Sequence, residues 1–402
     1  MYQLDPVKQP RLVFLILVLC AMIGPMSIDL FTPSLPAITD AFHTTAEMSQ
    51  WTVSIFMLGF AISMLIVGPL SERFGHRRTL LGGYTLFLLA TAVILVTDSI
   101  HVFIAARLIQ AVFGCFGTAL SRVIARDIYK GEQDIRILGM IGATMMVAPM
   151  VAPSIGGILQ QIWDWHASFV LMMIMAVLTM LAVRLLPGQD RFNSEAGLKE
   201  TLAGFTILMK DRRYMTPALS ASLAFAGAFV FVVGAPFVLI AGFEISPRNY
   251  GIIFGLVMGA YILASAGAGK VTDTLGHNRT HLLAWIIMFL GAGVALLTAL
   301  LTGGMSVSGF VTGIVIYEIG LGLFLPGCQA RALAHLDHHA GTGAGMLFFL
   351  EMIVASAVSY CAGLMVLDNT LPLASLMCTL LLMALGISAL IMNGHSKRGV
   401  AV

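Results

Sequence analysis

The sequence predicts an all-α membrane protein of twelve transmembrane helices arranged as two pseudo-symmetric six-helix bundles. Three observations predict it: apolar runs of bilayer length recur along the chain, Lys and Arg fall almost entirely in alternate loops, and one loop sequence returns half a chain later. Of the 402 residues 58% are hydrophobic and 10% charged, whereas a soluble domain carries about 25% charged residues. Membrane lipid is therefore the expected partner of most of the surface. A net charge of +2 with no basic block leaves no footprint for nucleic acid. The five cysteines, Cys20, Cys115, Cys328, Cys361 and Cys378, fall inside apolar stretches without metal-type spacing and read as small buried hydrophobes.

A hydrocarbon layer about 30 Å thick needs roughly 20 apolar residues per helix. Twelve such spans are read at 12–36, 50–70, 79–97, 102–124, 137–160, 168–186, 214–241, 250–270, 281–302, 307–329, 341–367 and 373–392. The first follows Lys8 and Arg11 and runs past Pro33 without a small-residue cleavage site, so it is expected to be a retained helix rather than a leader. With both termini in the cytoplasm, 20 of the 22 basic residues lie at or near the inner surface, leaving only Arg107 and Arg248 as exceptions. That placement predicts an even helix count and cytoplasmic termini.

The longest polar connection separates an N-terminal six-helix bundle, 1–186, from a C-terminal one, 214–402, through a cytoplasmic linker, 187–213. Gly68-Pro-Leu-Ser-Glu-Arg-Phe-Gly-His-Arg-Arg-Thr79 aligns without gaps on Gly269-Lys-Val-Thr-Asp-Thr-Leu-Gly-His-Asn-Arg-Thr280, an offset of 269 − 68 = 201. Parallel six-helix repeats of this kind place a substrate path between halves, which points to a transporter.

The residues of that loop, Gly68, Glu72, Arg73, Gly75 and Arg78, with Asp273 in the second copy, resemble the signature loop of the major facilitator superfamily. Two positions depart from it: Glu72 stands where an aspartate is usual and His76 where an arginine is usual. The resemblance implies a cytoplasmic clasp that helps set the outward-facing state. Asp29 in Asp-Leu-Phe-Thr-Pro33 and Arg107 in Arg-Leu-Ile-Gln110 resemble further superfamily motifs in helices one and four. Two opposite charges at one depth inside a membrane are expected to share a cavity, either as working groups or as a static ion pair, the further alternative being that Asp29 is a solvated rim residue. In helix five Gly142, Pro149, Pro153, Gly156 and Gly157 are similar to the antiporter motif of drug/proton exchangers, especially the bicyclomycin/chloramphenicol-resistance subfamily. Arg126-Asp127-Ile-Tyr129, Trp163-Asp-Trp165, Ala235-Pro236-Phe237 and Gly341-Thr342-x-Ala344 also resemble it, so the likeness spans nearly the whole chain. It implies a multi-pass protein of a bacterial inner membrane, working as a monomer, that exchanges protons for small-molecule drugs.

Glu318 in helix ten and Glu351 in helix eleven depart from the subfamily pattern and sit roughly ten residues from their helix ends, close to the midplane. Low-dielectric surroundings favour a neutral carboxyl, and a carboxyl that can be neutral can carry a proton. Asp29, Arg107, Glu318 and Glu351 are thus the candidates for proton coupling or substrate binding. Phe56, Met146, Phe229, Tyr317 and Phe348 are candidates for an adaptable apolar pocket, since aromatic groups and Met suit promiscuous ligands. No phosphate loop, H-E-x-x-H or G-x-S-x-G appears, so neither catalysis nor a cofactor is expected, and His335, Asp337, His338 and His339 read as a solvated loop rather than a metal site. The reading is a proton-coupled multidrug efflux antiporter for lipophilic neutral or cationic antimicrobials. A proton-coupled importer of a small metabolite on the same scaffold is the alternative.

Overall fold

Why twelve apolar runs become these particular helices is visible at their ends. The computed structural model describes residues 9–129, 132–186, 198–334, 336, 340–365 and 369–396. Among the described residues there is no strand, and twelve stretches are long and apolar enough to cross a membrane. They are Pro10–Ala41, Ala46–Phe74, His76–Val96, Ile100–Ile128, Ile137–Ile162, His166–Val183, Arg212–Gly242, Pro247–Leu275, His277–Leu301, Val307–Leu333, Gly341–Gly363 and Leu371–Ser388. Several run beyond the apolar core because polar caps carry them on. Thr45 Oγ1 accepts from Met48 N at 3.3 Å and Ser306 Oγ from Gly309 N at 3.2 Å, each occupying an amide that a helix start leaves without a partner.

Three spans are broken in ways hydropathy does not register. The first is a helix, Pro10–Asp29, a short 3-10 turn, Thr32–Ser34, and a second helix, Leu35–Ala41. The fourth divides at Cys115 into Ile100–Gly114 and Phe116–Ile128. The seventh changes to a wider π-helical winding over Pro236–Gly242, where the proline has no amide to donate.

The chain divides into two compact units, Met1–Leu202 with Ser246–Ile252, and Ala203–Ile245 with Ile253–Val402. Within the first, span one packs on spans four, five and six, and span three on four and six. Within the second, span seven packs on ten, eleven and twelve, and span nine on ten and twelve. For these pairs, adding six to each number converts one set into the other. The duplicated loop repeats at backbone level too: Gly75 (φ 82°) and Gly276 (φ 80°), 201 positions apart, each end one helix and begin the next. A side chain at that φ is strained, which explains glycine in both copies.

Lipid gives no hydrophobic reward for helix association, so close contact must come from small residues. An added Cβ on Gly117 would overlap the Cys20 carbonyl, and one on Gly291 would lie 2.6 Å from the Gly313 carbonyl oxygen. Cys20, Cys115 and Cys328 are buried as expected. Cys361 is exposed, as a lipid-facing apolar residue is, and Cys378 is half-buried, its Sγ donating to the Ala292 carbonyl of span nine at 3.4 Å. Part of the central connection is helical: Leu198–Lys210 forms a helix whose Phe205 and Leu208 are buried, with the Phe205 ring 5.8 Å from that of Phe349. Residues 187–197, together with His335, Asp337, His338 and His339, lie outside the described residues.

Candidate functional site

In the first unit the break in span one creates the site. A helix ending at Asp29 leaves its last carbonyls without intrahelical donors and concentrates negative potential there. Arg107 answers both. Its Nη2 donates to the Ser27 carbonyl at 3.0 Å, Nε lies 3.5 Å from the Thr52 carbonyl, and Nη1 donates to Gln110 Oε1. Gln110 Nε2 in turn donates to Thr91 Oγ1 at 2.7 Å, which donates to the Phe87 carbonyl at 2.7 Å. The guanidinium carbon sits 4.1 Å from the Phe31 ring centre and 4.2 Å from that of Phe56, and the side chain is fully buried. Desolvated stacking of this kind contributes about 2 kcal/mol per ring. Phe56, read as a pocket candidate, thus serves as one face of the arginine's cage.

Asp29 is 5% exposed, and among the described residues its carboxyl forms no ion pair, with Arg107 or any other group. The static ion pair weighed from sequence is absent because carbonyls and rings already satisfy the guanidinium. The next carbonyl, Leu30, accepts from Ser168 Oγ at 3.2 Å and lies against Gly156 so closely that a Cβ there would overlap it. One turn of span five gathers the remaining pieces. Gly157 abuts the Pro247 carbonyl, and Ser154 Oγ donates to the Gly251 carbonyl at 2.9 Å. Pro149 and Pro153 lie inside the same helix, whereas Gly142 and Gly68 have nothing within 4 Å of an added Cβ. The side chain of Met146 lies outside the described residues.

Around the duplicated loop His76 Nε2 stands 3.3 Å from Asp127 Oδ2, and Arg77 donates to the Arg184 carbonyl. The histidine that departs from the family pattern thereby meets the acid of Arg126-Asp127. Glu72, Arg73, Arg78 and Asp273 are exposed.

In the second unit Tyr317 fixes the rotation of span ten. Its hydroxyl donates to the Ala224 carbonyl at 2.8 Å and occupies the space a side chain at Gly227 would need, so this pocket candidate is a fully buried clasp between spans seven and ten. Gly322, four residues beyond Glu318 and therefore on its face, packs against Tyr261–Ser265 of span eight; a Cβ on it would lie 2.6 Å from the Tyr261 carbonyl oxygen. Glu318 is 1% exposed, its Oε1 buried and without a hydrogen bond among the described residues, with Tyr261 within electrostatic range. Eleven residues further along the same face, about 16 Å, Gln329 Nε2 donates to Glu351 Oε1 at 2.9 Å. Glu351 is 2% exposed, and Tyr261 lies in its electrostatic range as well. Phe229 stacks with Phe225 at 5.0 Å, and both it and Phe348 are half-buried. Among the described residues no cluster of His, Cys, Asp and Glu could hold a metal ion.

Sequence reasoning passed over Tyr250, Thr32 and Gln329. A signal for one of them was present: Tyr250 is eleven residues, three turns, before Tyr261, an aromatic candidate for the apolar pocket, and so shares its helix face.

Two units with the same helix pairing, each with ionisable groups buried inside its spans, define a polytopic membrane transporter. The chain belongs to the Major Facilitator Superfamily, whose family model matches residues 17–360. It is 31% identical over 368 residues, 90% of each chain, to YdgK of Bacillus subtilis (strain 168), described as an uncharacterized MFS-type transporter. It is 25% identical to the bicyclomycin resistance protein homolog of Haemophilus influenzae, over 91% of this chain and 92% of that one. Among solved structures the crystal structure of D-xylose-proton symporter superposes with a TM-score of 0.74 at 15% identity, covering 94% and 96% of the two chains. At that identity the likeness is one of fold.

Proposed function

We propose that this transporter is a proton-coupled multidrug efflux antiporter of a bacterial inner membrane, with both termini cytoplasmic, exporting lipophilic neutral or cationic antimicrobial compounds. The observation that carries it is the burial of Asp29 and Glu318 within membrane spans, at 5% and 1% exposure, without an ion-pair partner among the described residues. An ionised carboxylate so placed costs several kcal/mol. A proton or an organic cation removes that cost, and only one of them can do so at a time. Mutual exclusion at a buried carboxyl couples opposite fluxes, which is antiport. Similarity to a bicyclomycin resistance protein homolog supports drug as the exchanged solute. Residues 1–186 and 214–402 act as the two moving bodies and 187–213 as the cytoplasmic tether; no catalytic step or cofactor is needed.

The test is transport by purified monomer in proteoliposomes. A proton gradient directed into the cytoplasmic face drives a fluorescent lipophilic cation the other way, and collapse of the gradient stops it. Indifference of every tested drug to the gradient, alongside gradient-driven uptake of a sugar or organic acid, would overturn the assignment.

A further inference from the structure

Tyr250 stands beside Asp29 by a route that does not depend on charge. Asp29 precedes Leu30, whose carbonyl is pressed on Gly156; Tyr250 lies between Pro247, pressed on Gly157, and Gly251, whose carbonyl Ser154 holds at 2.9 Å. One turn of span five therefore seats both residues, and Ser246–Ile252 is accordingly part of the first unit although the rest of span eight is not. Tyr250 is fully buried, and its hydroxyl faces the Thr32 side chain with Asp29 in electrostatic range. The hydroxyl of Thr32 already donates, to the Asp29 carbonyl at 2.9 Å, so toward Tyr250 it offers only a lone pair. A bond between the two hydroxyls therefore has Tyr250 as its donor, which leaves the tyrosine oxygen an acceptor toward Asp29. An acceptor matches a protonated carboxyl, which can donate, and repels a carboxylate, which cannot.

Among the described residues no charged group is paired with Asp29. Arg107 is committed to the Ser27 carbonyl, Gln110 and two rings, and the nearest residues of spans five and six, Ser154, Gly156 and Ser168, carry no charge. Arg248, next in sequence to Pro247, is exposed. We propose that Tyr250 is a positioning residue for Asp29, accepting a hydrogen bond from the protonated carboxyl and so holding the first turns of span eight on the first unit only while the proton is bound. When Asp29 releases its proton to water the bond is lost, the carboxylate requires hydration, and Ser246–Ile252 must lift to admit it. This deepens the proton-coupled reading and rests on it in one respect, that Asp29 takes up and releases a proton.

The test is hydrogen–deuterium exchange of the full-length protein in lipid nanodiscs across pH 5–9, corrected for intrinsic rates, following peptides that cover 244–257. Wild type is expected to lose protection there as pH rises through a single titration, while span-one peptides stay protected and report an intact fold. Asp29→Asn should stay protected at every pH. Tyr250→Phe should shift the midpoint to lower pH, a roughly tenfold loss of proton affinity, and Thr32→Val, which frees Tyr250 to donate to the carboxylate, should shift it the same way. An unchanged midpoint in Tyr250→Phe, or wild-type pH dependence in Asp29→Asn, overturns the proposal. Export without pH-dependent protection sinks the latch alone; pH-dependent protection without drug export sinks the efflux reading alone.

Discussion

Substituting alanine for either of two glycines of one helix-five motif should give opposite results. At Gly156 an added Cβ would overlap the Leu30 carbonyl oxygen and lie 2.8 Å from its carbon, both backbone atoms that no rotamer change can move. Ordinary contact needs roughly 3.4 Å or more, and the oxygen is the limiting atom, so spans one and five must part by more than about an ångström; overpacking on that scale costs about 3 kcal/mol, the upper end of the usual range. For a unit of about 200 residues this corresponds to a fall in Tm of about 6–12 °C. The shift falls on Leu30, next to Asp29, so export should drop further than stability. At Gly142 nothing among the described residues lies within 4 Å of the added Cβ, and alanine, the better helix former, should be neutral or stabilising by up to about 1 kcal/mol. The assay is thermal unfolding in detergent beside gradient-driven efflux in proteoliposomes. Equal melting and transport in Gly156→Ala and Gly142→Ala would refute the claim that backbone contact, rather than helix propensity, is what the motif supplies.

Arg107→Lys should abolish export and cost about 2–4 kcal/mol, because an ammonium has neither the planar face for Phe31 and Phe56 nor the fork for Ser27 and Gln110, as chemical denaturation would record. Glu318→Gln should melt within about 1 kcal/mol of wild type, since Gln keeps the shape, yet flatten the dependence of efflux on pH; an unaltered profile would remove Glu318 from the coupling. Gln329→Leu deprives Glu351 of a donor and should cost about 1–3 kcal/mol in the same melt. His76→Ala, which breaks a pair half open to solvent, should change stability by less than about 1 kcal/mol.

The spans, their number and the duplicated loop were legible because each has a one-dimensional signal: run length, charge alternation and literal repetition. The breaks at Leu30, Cys115 and Pro236 were not. A hydropathy pattern reports what faces lipid and is blind to whether a carbonyl on the inner face has a donor. The candidate charges were legible as violations of that pattern, but their partners were decided by which backbone atoms the breaks expose. Arg107 found Ser27 rather than Asp29 for this reason. The depth argument for Glu318 and Glu351 likewise could not separate them, because it counts residues along each helix; the Gln329 contact shows the level at which Glu351 meets span ten. Tyr250 was invisible for a third reason. Its neighbour Asp29 lies 221 positions earlier, and only the tertiary seat on span five joins them.

The matched turns at Gly75 and Gly276 bear on the chain's ancestry. Only glycine accepts that φ without strain, so after duplication the bend was held in place while the side chains around it were free to drift. They drifted unequally. In the first copy His76 stands against Asp127, whereas His277, its counterpart, makes no ion pair among the described residues. A shared symmetry of backbone thus carries an asymmetry of fastening: the same bend is tied by a histidine–aspartate contact in one copy and not, among the described residues, in the other.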